Sequence, residues 1–418
     1  MKYDVAVLGA GMVGVCVAIH LLQQGRSVLL MDRNDAGEET SYGNAGLLQQ
    51  EAVRPYEFPH EPSVLLPAAF NLRLDVRYHL TALPKLIQPL WSYFRHCSPR
   101  RYESIAQEYG HIINMTLACH QELISAAGAE QLIRKVGWIS LYRTAKGRHK
   151  GLRTLDAYTR QGVNFKVLNG DELAEIEPAI KGHHAGGVHW QDPWIAGHPG
   201  QLVKAYTNLF KQLGGVFVQG DAGSLKRSHQ QSWQLRDHQD TLLEVDEIVI
   251  ALGPWSAEIT ARFGYRPPMF FKRGYHMHYQ YPAGQPRLTR AVQDSEKGYM
   301  MTPMDAGLRI CTGAELGLRD TPSTPVQIDR AEAIARKLIP LGERLDAEPW
   351  RGARPCIPDM KPIIGPLPGA PGLWCAFGHG HQGFTMGPAT GKLLAAMMTG
   401  QTTDIDMSGF RAERFKKP

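Results

Sequence analysis

Three glycines close to the start of the chain separate an apolar run from a helical pattern. The run Tyr3–Leu8 predicts a strand, and the sequence GAGMVG follows it directly. In a dinucleotide-binding turn, Gly9 would permit the tight turn, Gly11 the approach of a pyrophosphate, and Gly14 the close packing of helix on strand. The helix predicted over Met12–Gln24 would point its N-terminal N–H groups at the phosphates. This order predicts a bound nucleotide cofactor.

A carboxylate at the end of the next predicted strand supports the same prediction. Ser27–Met31 is mostly apolar, and Asp32 follows it, where dinucleotide-binding folds place an acidic side chain on the ribose hydroxyls. The alternative is a glycine-rich turn in some other α/β protein.

The composition is that of a globular protein with room for two domains. The chain has 418 residues, of which 43% are hydrophobic and 21% are charged. Its formal net charge of +6 is spread along the sequence, with no basic run longer than the pairs Arg100-Arg101 and Lys416-Lys417. Nucleic acid is therefore not indicated as a partner, whereas anionic substrates and lipid head groups stay open.

The cysteines and the hydropathy pattern bear on compartment. The six cysteines are scattered and show no zinc-ligand spacing, so we expect reduced thiols and no metal site. The first predicted strand leaves no room for a signal peptide, and no run of about 18 apolar residues occurs. We expect a cytoplasmic protein that does not span a membrane.

Two further segments favour FAD as the cofactor. Residues 37–46 form a small, polar stretch that offers many backbone N–H groups to a long ligand, although a flexible surface loop is the alternative. Near the other end, the strand predicted over Gly372–Phe377 leads into a second glycine-rich turn, Gly378–Gly383, and a helix to about Met398. A third apolar strand, Glu247–Gly253, ends in a glycine. The pattern predicts one cofactor domain assembled from both ends of the chain.

Together these motifs resemble a known family. The stretches GAGMVG with Asp32, ETSYGNAG, ALGPWS, RGARPCIPDMKPIIG and GHGHQGFTMGPATGKLL are similar to the FAD-dependent D-amino acid dehydrogenases, within the wider family of D-amino acid oxidase, glycine oxidase and sarcosine oxidase. The resemblance implies an α/β fold with a Rossmann-type FAD domain of discontinuous segments (1–58, 147–178, 198–262 and 346–418). It also implies a substrate domain with a mostly antiparallel sheet (59–146, 179–197 and 263–345).

The resemblance extends to the substrate domain. We expect its sheet to contain strands over Gly137–Arg143, Gly186–Trp190, Arg273–Tyr281, Gly298–Thr302 and Leu308–Ala314. The segment from about Glu57 to Arg101 resembles an extra helical segment of the D-amino acid dehydrogenases. Core packing, a membrane surface and a partner surface are its alternative roles.

The resemblance and the motifs also assign cofactor contacts. The predicted FAD-binding residues are Gly9, Gly11, Met12, Val13, Gly14, Asp32, Arg33, Thr40, Ser41, Asn44, Ala45, Gly46, Leu47, Ala222, Gly253, Trp255, Arg354, Gly378, His379, Gly380, His381 and Gly383. Sarcosine oxidases attach flavin to a cysteine at a place in the motif near Gly352, and Cys356 is out of register with it. We therefore expect non-covalent FAD.

Four residues are candidates for catalysis. Arg354 is the first choice to clamp a substrate carboxylate, with Arg273 as a second carboxylate contact and Tyr299 facing the substrate. His379 is a candidate for proton transfer, and Tyr42 could also line the pocket. The alternatives are an arginine that only holds its loop, a half-buried strand tyrosine, and a histidine that caps a helix.

His276 and His278 alternate on a predicted strand. Without a third ligand nearby, we interpret them as two half-exposed sheet histidines and not as a metal pair.

The resemblance implies oxidation of a C–N bond. The predicted reaction is dehydrogenation of a D-amino acid or a cyclic imino acid such as D-proline or hydroxyproline, by hydride transfer from Cα to flavin N5, giving an imine and then a 2-oxo acid. Electrons would pass to a quinone or another acceptor that is not oxygen. The inner face of the membrane is the alternative to a location free in the cytoplasm. The alternatives are an oxygen-using glycine or sarcosine oxidase, a nicotinamide-dependent dehydrogenase, and an FAD-binding subunit of a hetero-oligomeric complex.

Overall fold

The computed structural model describes residues 2–228 and 232–415 and has a mixed α/β architecture. Its strands are β1 (Lys2–Leu8), β2 (Val28–Asp32), β3 (Leu47–Leu48), β4 (Val76–Tyr78), β5 (Ile133–Arg134), β6 (Trp138–Tyr142), β7 (Phe165–Leu168), β8 (Gly186–Trp190), β9 (Trp194–Ala196), β10 (Val216–Gln219), β11 (Lys226–Arg227), β12 (Trp233–Arg236), β13 (Leu242–Ile250), β14 (Phe270–Tyr279), β15 (Ala291–Asp294), β16 (Tyr299–Met304), β17 (Gly307–Cys311), β18 (Ala314–Leu316), β19 (Trp350–Cys356), β20 (Ile363–Pro366) and β21 (Leu373–Phe377).

The structure has eleven α-helices in its described residues, and three of them, α2 to α4, follow one another between residues 62 and 126. They are α1 (Met12–Gln23), α2 (Pro62–Ala69), α3 (Leu83–His96), α4 (Pro99–Ala126), α5 (Ala145–Leu152), α6 (Leu155–Thr159), α7 (Gly170–Ile176), α8 (Pro199–Gln212), α9 (Ser256–Ala261), α10 (Val326–Leu338) and α11 (Gly383–Met398). None of the helices in the described part of the chain is long and apolar enough to cross a membrane.

The first sheet is the predicted dinucleotide-binding unit. Its parallel strands run in the order β10, β2, β1, β13 and β21, and β12, β11 and β20 join it in antiparallel pairings. Alternate residues of β1 face opposite sides, because Val5 and Val7 pack in the core that contains α1, while Ala6 and Leu8 pack in a second core. Both faces are therefore buried, as expected for a parallel sheet.

The turn between β1 and α1 depends on two of the three glycines for its shape. Gly9 has φ +105°, and a Cβ there would lie 2.4 Å from the carbonyl oxygen of Ala251. A Cβ on Gly14 would lie 1.8 Å from the carbonyl oxygen of Gly9. The predicted tight turn and close helix packing are both present.

The C-terminal turn joins the same sheet, as the sequence predicted. Strand β21 pairs with β13, and α11 then packs directly on α1. The close approach uses Gly387 and Gly391, where a Cβ would lie 2.6 Å from Met12 and from the backbone of Cys16, respectively. The cofactor end of the fold is thus built from both ends of the chain.

The second sheet is mostly antiparallel, in the order β4, β18, β14, β17, β16, β15, β6, β8 and β7, with β19 also paired to β14. All five predicted strand regions lie in it, with ends shifted by a few residues. Helix α10 packs on one face against Tyr275, Met277 and Tyr279 of β14.

Two predicted domain boundaries need revision. Phe165–Leu168 pairs with Gly186–Trp190, and Trp350–Cys356 pairs with Phe270–Tyr279. Both strands therefore belong to the second sheet, although we predicted residues 147–178 and 346–418 for the FAD domain. The sheet that each strand joins depends on its pairing with strands far away in sequence, so the local sequence pattern could not predict it.

Candidate active site

A cavity of about 1060 Å³ is lined by residues of both large sheets. Its volume is at the upper end of the range for small-molecule and cofactor sites. It contains the carboxyl ends of β1, β2 and β13, where parallel sheets bind nucleotides, and it continues to β14 and β19 of the second sheet.

One end of the cavity has the features of a nucleotide site. The Asp32 carboxylate accepts a hydrogen bond from the Ala10 N–H at 2.7 Å, and burial raises the pKa of that carboxyl. Arg33 stacks on the ring of Trp255, with its guanidinium carbon 4.1 Å from the ring centre. Asp32, Arg33 and Trp255 all line the cavity, and a carboxylate beside a stacked arginine and tryptophan fits a ribose and an adenine.

The space beside Gly11 fits a pyrophosphate. A Cβ on Gly11 would meet only the hydroxyl of Ser41 within 4 Å, at 3.3 Å, so the glycine leaves its side of the cavity open. Helix α1 has no acidic residue in its first turn to repel phosphates. The Ser41 hydroxyl accepts from the Met12 N–H at 3.0 Å, which holds the predicted polar stretch against the helix.

Most of the predicted cofactor contacts line this cavity. Those that do are Gly9, Gly11, Met12, Val13, Asp32, Arg33, Thr40, Ser41, Asn44, Ala45, Leu47, Ala222, Gly253, Trp255, Arg354, Gly378, His379, Gly380, His381 and Gly383. Gly14 and Gly46 are not among the lining residues. Gly14 packs on Gly9, and Gly46, with φ +77°, lies against the carbonyl oxygen of Ala196, so both shape the backbone behind the site.

Two cations lie side by side at the other end of the cavity. Lys272 of β14 and Arg354 of β19 are directly opposite each other in antiparallel register, and both line the cavity. Arg354 donates to the carbonyl oxygens of Gly313 at 2.8 Å and Thr312 at 3.3 Å. Lys272 donates to the Tyr93 hydroxyl at 3.0 Å and lies over that ring.

Neither cation is neutralised by a carboxylate within the described part of the chain. The charged or titratable neighbours of Arg354 are Cys311, Cys356 and Tyr56, and burial lowers the pKa of both cations. Like charges at directly opposed strand positions repel each other, and burial strengthens that repulsion. An anion bound in the cavity would relieve it.

A glycine makes room for the arginine. A Cβ on Gly274 would lie 2.5 Å from a terminal guanidinium nitrogen of Arg354. Gly274 follows Lys272 by two residues, so both positions point to the cavity face of β14.

Arg273 does not reach the cavity, which corrects its predicted role. It is fully buried, and its guanidinium bonds Glu315 through two nitrogens, at 2.5 and 2.8 Å. Further bonds go to the carbonyl oxygens of Thr321 and Pro322. Arg273 points to the other face of β14 because successive side chains of a strand alternate, so the prediction was wrong by one residue and Lys272 faces the site.

The other three candidate residues, Tyr299, His379 and Tyr42, differ in whether they line the cavity and in what they contact. Tyr299 lines the cavity but is 1% exposed and lies beside the Arg143–Asp294 ion pair. His379 lines the cavity, is buried, and bonds the Thr390 hydroxyl of α11 at 3.0 Å. Burial lowers the pKa of His379 to about 3, which leaves its ring neutral at physiological pH and favours the helix-anchoring alternative. Tyr42 is not among the lining residues.

The two strand histidines are buried, not half-exposed as we expected. His276 stacks on Trp350 with 4.9 Å between ring centres. His278 lies between Asp346, at 2.8 Å, and the Nε–H of Arg309, at 2.9 Å. Both are therefore parts of a structural network, and the described residues contain no group of three or more side chains that could hold a metal ion.

Comparison with known proteins identifies the family. Residues 4–397 match the family described as FAD dependent oxidoreductase, DAO. A D-amino-acid oxidase from Bradyrhizobium diazoefficiens is 29% identical over 428 residues, covering 98% of each chain. A solved glycine oxidase from Geobacillus kaustophilus has a TM-score of 0.74 at 20% identity and covers 100% of both chains. A solved L-proline dehydrogenase from P. horikoshii also has a TM-score of 0.74, at 16% identity, covering 99% of this chain and 98% of its own.

The chain belongs to the DAO family of FAD-dependent oxidoreductases. Membership confirms the predicted fold class, the FAD cofactor and the oxidoreductase activity. It removes the nicotinamide-dependent alternative, and Gly11, Asp32 and Trp255 all line the cavity.

In this FAD-dependent oxidoreductase, sequence reasoning missed Tyr56 and Lys272 beside Arg354, and it named His381 only as a cofactor contact. Tyr56 and His381 are in ring contact, with centres 4.7 Å apart. Burial is the main influence on the pKa of each group, and the positive charge of Arg354 also acts to lower both pKa values. Burial lowers the pKa of His381 to about 3, so this ring is also neutral. No local motif marks Tyr56. Lys272 is adjacent in sequence to Arg273, which the sequence resemblance favoured as a carboxylate contact.

A second cavity, of about 560 Å³, shares Tyr56, His381 and four other lining residues with the first. It is also lined by Glu51, which is 3% exposed. One carboxylate oxygen of Glu51 accepts from Trp138 at 2.8 Å and Gln49 at 2.7 Å, whereas the other has no hydrogen-bond partner among the described residues. Burial raises the pKa of Glu51 to about 7.

We expect Glu51→Gln to change how stability depends on pH. The pKa of Glu51 in the folded state lies above its ordinary value of 4.5. The folded protein therefore binds the proton of Glu51 more tightly than the unfolded chain does. This stabilises the fold fully below about pH 4.5, and the stabilisation is lost as pH rises through about 7. A shift from 4.5 to about 7 corresponds to about 3 kcal/mol in the free energy of unfolding.

Urea unfolding of the wild type and Glu51→Gln at several pH values between about 4.5 and 8 measures this loss, and the variant should lack it. Glu103→Gln is the control, because Arg54 holds the pKa of the Glu103 carboxyl below its usual value. Glu103 therefore stabilises the fold at higher pH and loses that contribution as pH falls, which is the opposite pH dependence. Parallel pH profiles for the wild type and Glu51→Gln would contradict the prediction.

Proposed function

We propose that the enzyme oxidises the C–N bond of a D-amino acid or a cyclic imino acid, such as D-proline or hydroxyproline, to the imine. Water then hydrolyses the imine of a linear amino acid to a 2-oxo acid and ammonia, whereas a cyclic imine opens to an amino 2-oxo acid that keeps its nitrogen. The paired cations Lys272 and Arg354 carry this proposal, since they face the cavity without a carboxylate partner among the described residues. The substrate carboxylate would supply the missing negative charge.

Residues of both chain ends would hold the cofactor without a covalent bond. Gly11 and the start of α1 would receive the pyrophosphate, and Asp32 would accept the ribose hydroxyls. The turn before α11, with Gly378 and Gly380, lines the cavity on the side of Arg354. When bound, FAD supplies a two-electron acceptor for the hydrogen on the substrate Cα.

The protein's own groups position the substrate. Arg354 would bind the carboxylate through two N–H groups, and Lys272 would add a point charge beside it. This fixes one end of the substrate, so that only one configuration at Cα presents its hydrogen to the cofactor. Tyr56 and the neutral His381 would form the wall next to the carboxylate.

A neutral imidazole can accept a hydrogen bond from the substrate nitrogen. The amine must lose its extra proton before the hydride leaves, and a protonated histidine at that place would oppose this loss. The pKa of His381, lowered to about 3, keeps the ring neutral over the working range of pH.

Relatives support the substrate class. The Bradyrhizobium diazoefficiens relative is named a D-amino-acid oxidase, and the P. horikoshii structure is an L-proline dehydrogenase. These names agree in amino or imino acid chemistry and differ in configuration and acceptor. We propose the D configuration and a quinone or another non-oxygen acceptor, with an oxygen-using oxidase as the alternative that the D-amino-acid oxidase relative favours.

Anaerobic stopped-flow reduction tests substrate and configuration together. We expect D-amino acids or the D forms of proline and hydroxyproline to bleach the flavin absorbance at least about 100-fold faster than their L forms, because the clamp orients only one Cα–H. Mixing the reduced enzyme with air or with a soluble quinone then compares the acceptors. Equal rates for both enantiomers contradict the stereochemical proposal, and rapid formation of hydrogen peroxide in air identifies an oxidase.

A further inference from the structure

A cluster of large apolar side chains projects from the segment between residues 62 and 96. Its members are Leu66, Phe70, Leu72, Leu80, Ile87 and Trp91, and each is at least 60% exposed. We call this cluster the apolar patch. The other large exposed hydrophobic side chains of the described surface are at most 48% exposed, as at Leu242, or line the cavities, as Tyr56 does. A concentration of this kind marks an interaction surface.

The helices that carry the patch have two different sides. In α3, Leu86 and Tyr93 are buried, whereas Ile87 and Trp91 lie one turn apart and are exposed. Helix α2 has no buried residue at all. Both helices therefore lie on the outside of the fold with an apolar outer side, which is the arrangement of a helix that rests on an interface.

The inner sides of the same helices reach the FAD cavity. Val64, Leu65 and Ala68 of α2 and Leu90 of α3 are among its lining residues. The patch and the cavity are thus separated by the thickness of a single helix.

The charge around the patch is positive. Lys85 and Arg95 of α3 and Arg100 and Arg101 at the start of α4 are exposed and form no ion pair within the described residues. Asp75 is the one acidic residue between positions 62 and 101, and it already binds Arg73 at 2.5 Å. Apolar side chains surrounded by lysine and arginine match the chemistry of an anionic lipid surface.

We propose that the apolar patch docks the enzyme on the surface of a bilayer that contains anionic phospholipids. Its apolar side chains enter the boundary between head groups and acyl chains, and the four basic residues contact lipid phosphates. This inference deepens the proposed function, because α2 and α3 would place the cavity next to the phase that dissolves a long-chain quinone. Lipid binding is measured without turnover, so it can fail while the proposed reaction stands.

Charge favours a bilayer over a second copy of this chain. In a twofold dimer through the patch, each basic residue would face the same positive surface on the partner. With Asp75 already bonded to Arg73, the segment offers no free carboxylate to neutralise that surface. The repulsion would oppose association, whereas anionic head groups relieve it.

Co-sedimentation of the FAD-loaded enzyme with sucrose-filled vesicles tests the proposal. We expect binding to vesicles of phosphatidylglycerol mixed with phosphatidylcholine, weaker binding to pure phosphatidylcholine, and a loss of binding at high salt. The double variant Ile87→Ser/Trp91→Ser should lower the partition coefficient at least about tenfold. Leu213→Ser/Leu345→Ser removes two large apolar side chains that are partly exposed elsewhere on the surface, and it should bind as the wild type does.

Activity with a soluble acceptor reports the state of the active site. Neither Ile87 nor Trp91 lines the cavity, so this activity should be unchanged in the double variant. The proposal is overturned if the wild type does not bind anionic vesicles or if the double variant binds them equally well. Sedimentation velocity that shows a dimer dissociated by the same two substitutions, without vesicle binding, would assign the patch to self-association instead.

Discussion

Replacing Arg354 by methionine should lower kcat/KM for the amino acid substrate by roughly 10- to 100-fold or more. A hydrogen bond to a charged group contributes about 1.5 to 3 kcal/mol, and the guanidinium would make two such bonds to a carboxylate. The variant should still contain flavin, so the rate constant is expressed per bound FAD. Flavin reduction at several substrate concentrations gives kcat/KM and separates it from cofactor loss.

A matched control lies on the same strand. Arg351 of β19 donates to the carbonyl oxygen of Thr321 and does not line the cavity. Arg351→Met removes the same charge without touching the site, so kcat/KM should change little. Arg354→Lys should recover part of the loss, because an ammonium keeps the charge but not the two-pronged geometry. If Arg354→Met reduced flavin with unchanged kcat/KM, the carboxylate would bind elsewhere.

Lys272 gives an independent check on the clamp. Its removal should raise KM more than it lowers kcat, since its ammonium acts as a neighbouring point charge. Arg273→Met is not informative about the clamp, because it would remove the only arginine that the described residues pair with the buried carboxylate of Glu315 and should destabilise the fold.

Replacing Gly11 by leucine should abolish FAD binding while the protein stays folded. The Cβ itself meets only the Ser41 hydroxyl, at 3.3 Å, so the backbone can accept it, but the rest of the side chain would occupy the cavity. The purified variant should be colourless, whereas the wild type should be yellow and should release one FAD per chain on denaturation. Absorbance at the flavin maximum and chromatography of the released nucleotide measure the loss.

Two other glycines separate cofactor loss from misfolding. Gly110→Ala, in α4, adds a methyl group whose nearest neighbour is the Gln161 side-chain oxygen at 3.5 Å, and it should leave FAD content unchanged. Gly14→Ala would place a Cβ 1.8 Å from the Gly9 carbonyl oxygen and should lower stability itself. A yellow Gly11→Leu protein with full FAD content would show that the pyrophosphate does not lie beside Gly11.

The cofactor half of the molecule was predicted well because its signals are local. The glycines at positions 9, 11 and 14 and the carboxylate of Asp32 act within one consecutive unit of strand, helix and strand, β1–α1–β2. The second glycine-rich turn has the same property. Each of these residue types is required by backbone geometry or by the charge of a phosphate within a few residues of its place in the chain.

The substrate half could be predicted only in part. Its strands were located, but the face that each side chain takes depends on register with strands far away in sequence. The choice between Lys272 and Arg273 shows this dependence, since one residue separates a cation that faces the cavity from one that is fully paired to Glu315. The burial of His276 and His278 was misjudged for the same reason.

The sequence alone thus determined the cofactor class, the α/β fold and the family, because glycine positions and strand patterns act locally. Tertiary structure decided which cations face the cavity, which carboxylate is buried beside it, and which apolar side chains of α2 and α3 remain outside. These properties belong to pairs of segments that meet only in the folded chain. The burial of a side chain and the electrostatic field around it depend on neighbours that come into contact only when the chain folds.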